Sequence, residues 1–266
     1  AFPVGRFRYA LLTQRGPTLP IQSARGCPYG CGYCPWRVTA RYREREPDAV
    51  VAEATHLRAR YGARALAFRD PMFNVRPERV RALARGLRPL DLKWSAEMRA
   101  DRLDPSLLDA LADAGLRSLE IGVESADVAM LEDERRMPPD LAHIEAVVRH
   151  ATRRGVRVIC NYVLGLPGDD AERIHRTIAL AERLGSFAVQ FTTATPYPGT
   201  TLETRAEGKM RSKKLDELTG FRSTWAHPTL SGGDLAALRE EAYVRYHFRA
   251  RYAWQFARQA ARALLD

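Results

Sequence analysis

The spacing of hydrophobic positions switches repeatedly between two periods along this chain. Six short apolar runs read as strands: IQSA (21–24), ALAFRD (65–70), LKWSAEM (92–98), LRSLEIGVE (116–124), RVICNYVLGL (157–166) and FAVQFTTATP (187–196). Each carries β-branched or aromatic residues and ends near a Gly, a Pro or an acid. Between them PDAVVAEATHLRARYG, RPERVRALARGLR, DPSLLDALADAG, PDLAHIEAVVRHATRRG and DDAERIHRTIALAERLG show helical spacing. Several open with Pro or Asp in the first turn and close on Gly, the asymmetry of helix ends.

Strands that alternate with helices imply a parallel sheet, because each right-handed crossover needs about a dozen residues and finds them here. Six such units predict an α/β fold, a partial (β/α)6 barrel with a C-terminal helical extension. In such folds the chemistry lies at the C-terminal ends of the strands. That rule selects Arg69 and Asp70, Glu97 and Arg99, Glu124 and Ser125, Gly165 to Asp169, and Pro196 to Thr200.

The predicted organisation is a lead-in over 1–20, the barrel over 21–205 and an extension over 206–266. A capping pattern at Ser231 and Asp234 opens a helix predicted over 233–265. From Val244 to Leu265 it has no acid, and Arg245, Arg249, Arg251, Arg258 and Arg262 interleave with Tyr246, Phe248, Tyr252, Trp254 and Phe256. Such a helix either rests peripherally on an anionic membrane or caps the barrel with its aromatics while its arginines stay solvated.

Composition changes this picture little. The 266 residues are 45% hydrophobic and 28% charged, enough for one substantial core. No run of about 18 apolar residues occurs, so no span is predicted, and the opening residues lack a signal-peptide pattern. A cytoplasmic protein is expected, membrane-associated only through the C-terminal helix. The net charge is +10, with 38 Arg against four Lys. Outside the C-terminal segment the arginines are spread evenly, so a nucleic-acid partner is not favoured.

Cysteine usage is the informative part. Cys27, Cys31 and Cys34 sit in RGCPYGCGYCP (25–35), and Cys160 is distant, which is no disulfide framework for a chain of this size. Structural zinc wants four ligands in a closed tetrahedron, and no His lies within ten residues of the three thiols. A [4Fe-4S] cube normally takes four cysteines, so three leave one iron open to a small molecule. Gly30 and Gly32 let such a loop fold closely. Cys160, mid-strand, reads as a small buried hydrophobe.

CPYGCGYC after the first strand of a β/α repeat resembles the signature of the radical S-adenosylmethionine (SAM) superfamily. LEIGVES (119–125), YVLGLPGDD (162–170), PYPGT (196–200) and FRDPMFN (68–74) resemble later motifs of the same superfamily. The last two are similar to the branch that usually carries an N-terminal cobalamin-binding domain, with the enzymes of hopanoid side-chain maturation as the nearest likeness. The resemblance implies a [4Fe-4S] cluster on Cys27, Cys31 and Cys34 whose open iron holds SAM. It also implies reductive cleavage to a 5′-deoxyadenosyl radical, which abstracts hydrogen from substrate for methylation, rearrangement or bond formation.

It further implies SAM contacts at Tyr33, Asp70, Glu97, Arg99, Glu124, Ser125, Gly165, Leu166 and Pro167, with Asn74 and Tyr197 facing substrate. Beyond the cluster no catalytic residue is assigned. For the strand-end charges the alternative is an internal Glu–Arg ion pair that shapes the mouth, since a buried charge demands a partner. The implied partners are a small-molecule or lipid-like substrate and an electron donor, flavodoxin or ferredoxin. About 20 residues precede the first predicted strand, against some 120 for an α/β domain. Cobalamin is therefore expected only with a domain upstream of Ala1. Two other functions stay open: an RNA-modifying, methylthiotransferase-like enzyme, and a non-catalytic module that binds cluster and SAM.

Overall fold

The computed structural model describes residues 16–258 apart from 138, 251 and 256. The chain enters through β1 (Thr18–Ile21), and a two-residue strand β2 (Ala24–Arg25) then pairs antiparallel with β3 (Arg43–Glu44). Between β2 and β3 lie the cysteine loop and the short helix α1 (Trp36–Thr39). Helix α2 (Pro47–Tyr61) leads to β4 (Ala65–Phe68), α3 (Pro77–Leu87) to β5 (Lys93–Met98), and α4 (Pro105–Asp113) to β6 (Leu116–Glu124). After α5 (Val128–Asp133) and α6 (Leu141–Arg153) come β7 (Arg157–Leu164), α7 (Ala171–Leu184) and β8 (Ala188–Thr193). Helices α8 (Thr201–Arg205) and α9 (Gly232–His247) complete the described elements.

The sheet order is β1-β4-β5-β6-β7-β8, and the first four strands run parallel. This is the α/β fold predicted, with five of its six sheet strands and all five crossover helices in their expected places. The first strand lies earlier than expected, at 18–21 instead of 21–24. Thr18 to Ile21 pair one to one with Ala65 to Phe68, whereas Ser23 turns away to hydrogen-bond Asp70. The predicted helix over 233–265 ends at His247. Phe248 and Arg249 leave helical geometry there, with Arg249 Nε donating to the Tyr246 carbonyl. Residues 252–255 are helical again, and the part from 259 onward lies outside the described residues.

The chain groups into two compact units, one of residues 1–27, 40–122 and 142–159, the other of 28–39, 123–141 and 160–266. The first unit's core is aromatic. Phe68, Phe73 and Trp94 pack with ring centroids 4.8 to 5.6 Å apart, and the Trp94 indole donates to the Ala114 carbonyl at 2.8 Å. On β5, Trp94, Ala96 and Met98 are buried while Lys93, Ser95 and Glu97 are half-buried, so one face of the strand is left open. Alternation at period 2 is how a strand separates a packed face from a working face.

In the second unit Leu166, Ala194, Leu202, Ala206, Trp225, Met130 and Leu131 form one core cluster, with Tyr33 and Val163 against it. The C-terminal extension belongs to this unit. Trp225 Nε1 donates to the Ala194 carbonyl, His227 Nε2 meets the Leu166 carbonyl at 2.9 Å, and Thr229 Oγ1 donates to the Asp169 carbonyl at 2.7 Å. The Ser231 capping box starts α9 as predicted. Tyr246 is fully buried on Ser186, Arg245 pairs with Glu182 and Glu241, and Arg249 lies over the Tyr246 ring. These aromatics and arginines are engaged within the protein, while Phe248 and Trp254 are exposed. No helix among the described residues is long and apolar enough to cross a membrane. Cys160 is completely buried, and burial pushes its thiol up to about 12, the environment of a packing residue.

Candidate active site

The cysteine loop is shaped by two glycines. Gly26 adopts φ +69°, and a Cβ there would stand 2.3 Å from the Ala40 carbonyl oxygen, so only glycine admits the turn into Cys27. Gly32 is held at both peptide groups: its N–H donates to the Glu134 carbonyl at 2.7 Å and its carbonyl accepts from Leu202 N–H at 2.9 Å. The Cys34 N–H donates to the Cys31 carbonyl at 3.2 Å, closing the loop before α1 begins.

None of Cys27, Cys31 and Cys34 is in a disulfide, and each is half-buried. Among the described residues no three His, Cys, Asp or Glu side chains gather around a point suited to a single metal ion. A cubane takes one thiolate on each of its corner irons, so its ligands stand apart instead of converging. The donor set fits three corners of a [4Fe-4S] cluster and does not fit a closed zinc site.

In the second unit a constellation surrounds Cys31 and Cys34. Burial pushes the Tyr33 phenol well above its ordinary range; Glu124 and the Cys31 and Cys34 sulfurs add to the shift, and Arg136 opposes it. Glu124 Oε1 lies 3.9 Å from Arg136 Nε, and both side chains are largely buried. Glu124 ends β6 at φ +72°. A non-glycine residue there carries about 1 kcal/mol of strain, and such strain concentrates at functional sites. Burial raises the Tyr197 phenol too, and the Cys34 sulfur contributes.

The other expected SAM contacts in this unit, Ser125 and Gly165 to Pro167, are bonded or packed within the protein. Ser125 is buried, with its Oγ 3.2 Å from Thr177 Oγ1 and accepting from Asp127 N–H at 3.1 Å. Gly165 takes φ +78°, a Cβ there would meet Leu235 at 2.7 Å, and its N–H donates to Asp169 Oδ2 at 2.8 Å. Leu166 is fully buried, and Pro167 is half-buried beside it. Asp170, not Asp169, caps α7, while burial pushes Asp169 up to about 6.

In the first unit, Asp70 is buried and accepts from Ser23 N–H at 2.7 Å and from Ser23 Oγ at 2.5 Å. Arg79 Nη2 donates to the Ser23 carbonyl at 2.7 Å and to the Arg45 carbonyl at 2.9 Å. Together they fix the chain four residues before Cys27. Asn74 is fully buried, donating to the Arg99 carbonyl and accepting from its N–H, both at 2.8 Å. The Arg99 guanidinium is buried and holds Asp101 through two hydrogen bonds of 2.8 and 3.0 Å. Asn74 is a staple in this arrangement, and Arg99 has an internal ion pair with Asp101, where a glutamate was the expected alternative partner.

Glu97 stands directly opposite Glu120 of β6. It therefore lies four residues below the level of Glu124. Glu120 is half-buried on the same face; burial raises its carboxyl and the Arg69 guanidinium opposes the shift. Two carboxylates facing across a ladder cost stability unless something cationic lies near them. A cleft of about 730 Å³ opens beside the C-terminal end of β1, lined by Arg25, Arg43, Arg45 and Arg69 with Glu44 and Glu53. Both glutamates already have ion pairs, Glu53 with Arg45 and Glu44 with Arg76 and Arg79, so the lining carries surplus positive charge.

Residues 21–181 match the model of the Radical SAM superfamily. The chain belongs to that superfamily. Among curated relatives, an uncharacterized methyltransferase of Pyrococcus horikoshii is 26% identical over 86% of this chain and 51% of its own length. Bacteriochlorophyllide d C-12(1)-methyltransferase of Chlorobaculum tepidum is 25% identical over 82% of this chain and 49% of its own. Among solved structures, the radical SAM methyltransferase TsrM of Kitasatospora setae, with cobalamin and a [4Fe-4S] cluster bound, superposes with a TM-score of 0.66 at 23% identity. It covers 73% of this chain and 40% of that one. The radical SAM chain described here thus spans about half the length of the curated relatives it matches. Several of these relatives are named as methyltransferases and two as magnesium-protoporphyrin IX monomethyl ester cyclases.

Sequence reasoning passed over several residues of this site. Arg136, Glu134 and Arg205 lie outside strand ends, so the barrel rule could not select them, although ERR (134–136) directly after a helix was a visible charge cluster. Glu120 sits mid-strand in LEIGVES, and its polar character at an alternating position was the available signal.

Proposed function

We propose that this chain is the catalytic core of a radical SAM enzyme that reductively cleaves SAM and modifies, by methylation in the first instance, a small molecule bearing an anionic group. The observation that carries the reading is the loop presenting three half-buried cysteines with no disulfide among them, with Tyr33 between two of them and within electrostatic reach of Glu124 and Arg136. When bound, a [4Fe-4S] cluster with one open corner supplies the electron that cleaves the sulfonium of SAM.

The chain's own residues bind and orient. Glu124, held by Arg136 and strained into place, is proposed to accept hydrogen bonds from the ribose hydroxyls or ammonium of SAM. Tyr33 offers its backbone to the adenine, and Gly165, Leu166 and Pro167 supply an apolar wall closed to water. Glu97 is assigned the SAM ammonium. Asp70, Asn74, Arg99 and Ser125 act on SAM indirectly by holding the segments next to Cys27, Glu97 and Glu124, and Tyr197, near Cys34, is proposed to face substrate. The arginine-lined cleft supports an anionic substrate group, since guanidinium forks match carboxylate and phosphate. Methylation is favoured by the relatives' names, and a cobalamin-dependent version requires a cobalamin-binding domain in addition to these residues.

Anaerobic reconstitution with iron and sulfide, followed by SAM and dithionite, tests the core of this reading. About four irons per chain and time-dependent 5′-deoxyadenosine or S-adenosylhomocysteine are expected. A fully loaded protein that consumes no SAM would leave a non-catalytic cluster module.

A further inference from the structure

Glu134 has no counterpart among the strand-end residues, yet it touches the middle of the cysteine loop. Its carbonyl accepts from Gly32 N–H at 2.7 Å, and Leu202 N–H secures the Gly32 carbonyl from the other side. Its side chain is fully buried. Oε1 is paired with Arg205, while Oε2 has no hydrogen-bond partner among the described residues. That second oxygen is aimed at the loop: a Cβ on Gly32 would stand 2.8 Å from it. Two residues on, past Arg135 in the left-handed region at φ +53°, Arg136 reaches Glu124. One short turn therefore carries both the brace of the cysteine loop and the brace of the strained glutamate.

A buried carboxylate oxygen left without a hydrogen bond destabilises a fold. An apolar residue of the same shape would remove that cost. We infer that Glu134 is a positioning residue for the cluster: with Arg205 it seats the Gly32 segment between Cys31 and Cys34, and its charge sets the reduction potential of whatever those thiolates hold. This rests on the cluster reading proposed above. Buried charge near a cluster is among the protein's levers on its potential, together with hydrogen bonds and solvent access. A negative charge disfavours adding an electron, and the Arg205 guanidinium offsets it.

The test is an EPR-monitored redox titration of reconstituted wild type, Glu134→Gln and Arg205→Gln, with iron and sulfide counted in each. The wild-type count and signal decide the cluster reading by themselves. Given a cluster, Glu134→Gln should move the midpoint to more positive potential and Arg205→Gln to more negative. Unchanged potentials in both variants, or shifts of one sign, overturn the inference. Should the variants fail to load, alkylation of Cys31 and Cys34 in cluster-free protein, read by mass spectrometry, serves instead. Glu134→Ala and Gly32→Ala should raise both rates at least threefold while circular dichroism is retained, and unchanged rates overturn the role.

Discussion

The polar residues of the two units behave differently although they look alike in sequence. In the first unit Asp70, Asn74 and Arg99 are buried and bonded to neighbouring protein groups: Asp70 to Ser23, Asn74 to the Arg99 backbone, Arg99 to Asp101. In the second, Tyr33, Glu124 and Tyr197 sit within electrostatic reach of Cys31 or Cys34 or of each other. A charge at a strand end is thus a site candidate only when its partners are other site residues. Where the partners are local backbone and side chains, it builds the frame that holds them.

Variants can break or sharpen that contrast. The largest effect belongs to the thiols: Cys31→Ala or Cys34→Ala should abolish [4Fe-4S] loading, read as loss of visible absorbance and iron, with the fold retained by circular dichroism. Next comes Asp70→Ala, which leaves the buried Ser23 N–H and hydroxyl without their acceptor. About 3 kcal/mol of stability should be lost in urea unfolding, while the folded, loaded fraction keeps its SAM affinity within threefold. Loss of SAM affinity without loss of stability would move Asp70 into the site.

Asp169 gives a pH test. Its carboxyl is raised by burial to about 6 in the folded state, above the ordinary 3.9 or so of an unfolded chain. The folded protein therefore binds more protons than the unfolded one between those values, and this residue's contribution to stability falls as pH rises through that window. Relative to wild type, Asp169→Asn should gain about 2 kcal/mol between pH 4 and pH 7, measured by parallel unfolding titrations, on top of a constant offset for its lost hydrogen bond. A flat difference would mean the carboxyl titrates normally. The smallest effect expected is Glu124→Gln, which keeps shape and backbone strain. It should weaken SAM binding about tenfold, near 1.4 kcal/mol, with a melting temperature close to wild type.

Much of the frame was legible because burial follows period. LRSLEIGVE and the helix DDAERIHRTIALAERLG announce their elements by alternation and by caps, and β6 has the predicted bounds while α7 begins two residues into its segment. The first strand was misplaced because IQSA is as apolar as TLPI, and only pairing with Ala65 to Phe68 distinguishes them. At the candidate site, the cluster of three cysteines stood out from spacing alone. The partnerships were not: nothing local tells that Arg99 will find Asp101, that Glu97 will face Glu120 instead of standing level with Glu124, or that Glu134 will meet Gly32. Those follow from register and from long-range packing, which a single sequence carries only implicitly.

The division between frame and site is tested most directly by titrating SAM into anaerobically reconstituted wild type, Glu124→Gln and Asp70→Asn under one set of conditions. The account predicts that Glu124→Gln binds about tenfold more weakly while Asp70→Asn stays within threefold of wild type. Equal affinities for wild type and Glu124→Gln, with the loss falling on Asp70→Asn, would contradict it.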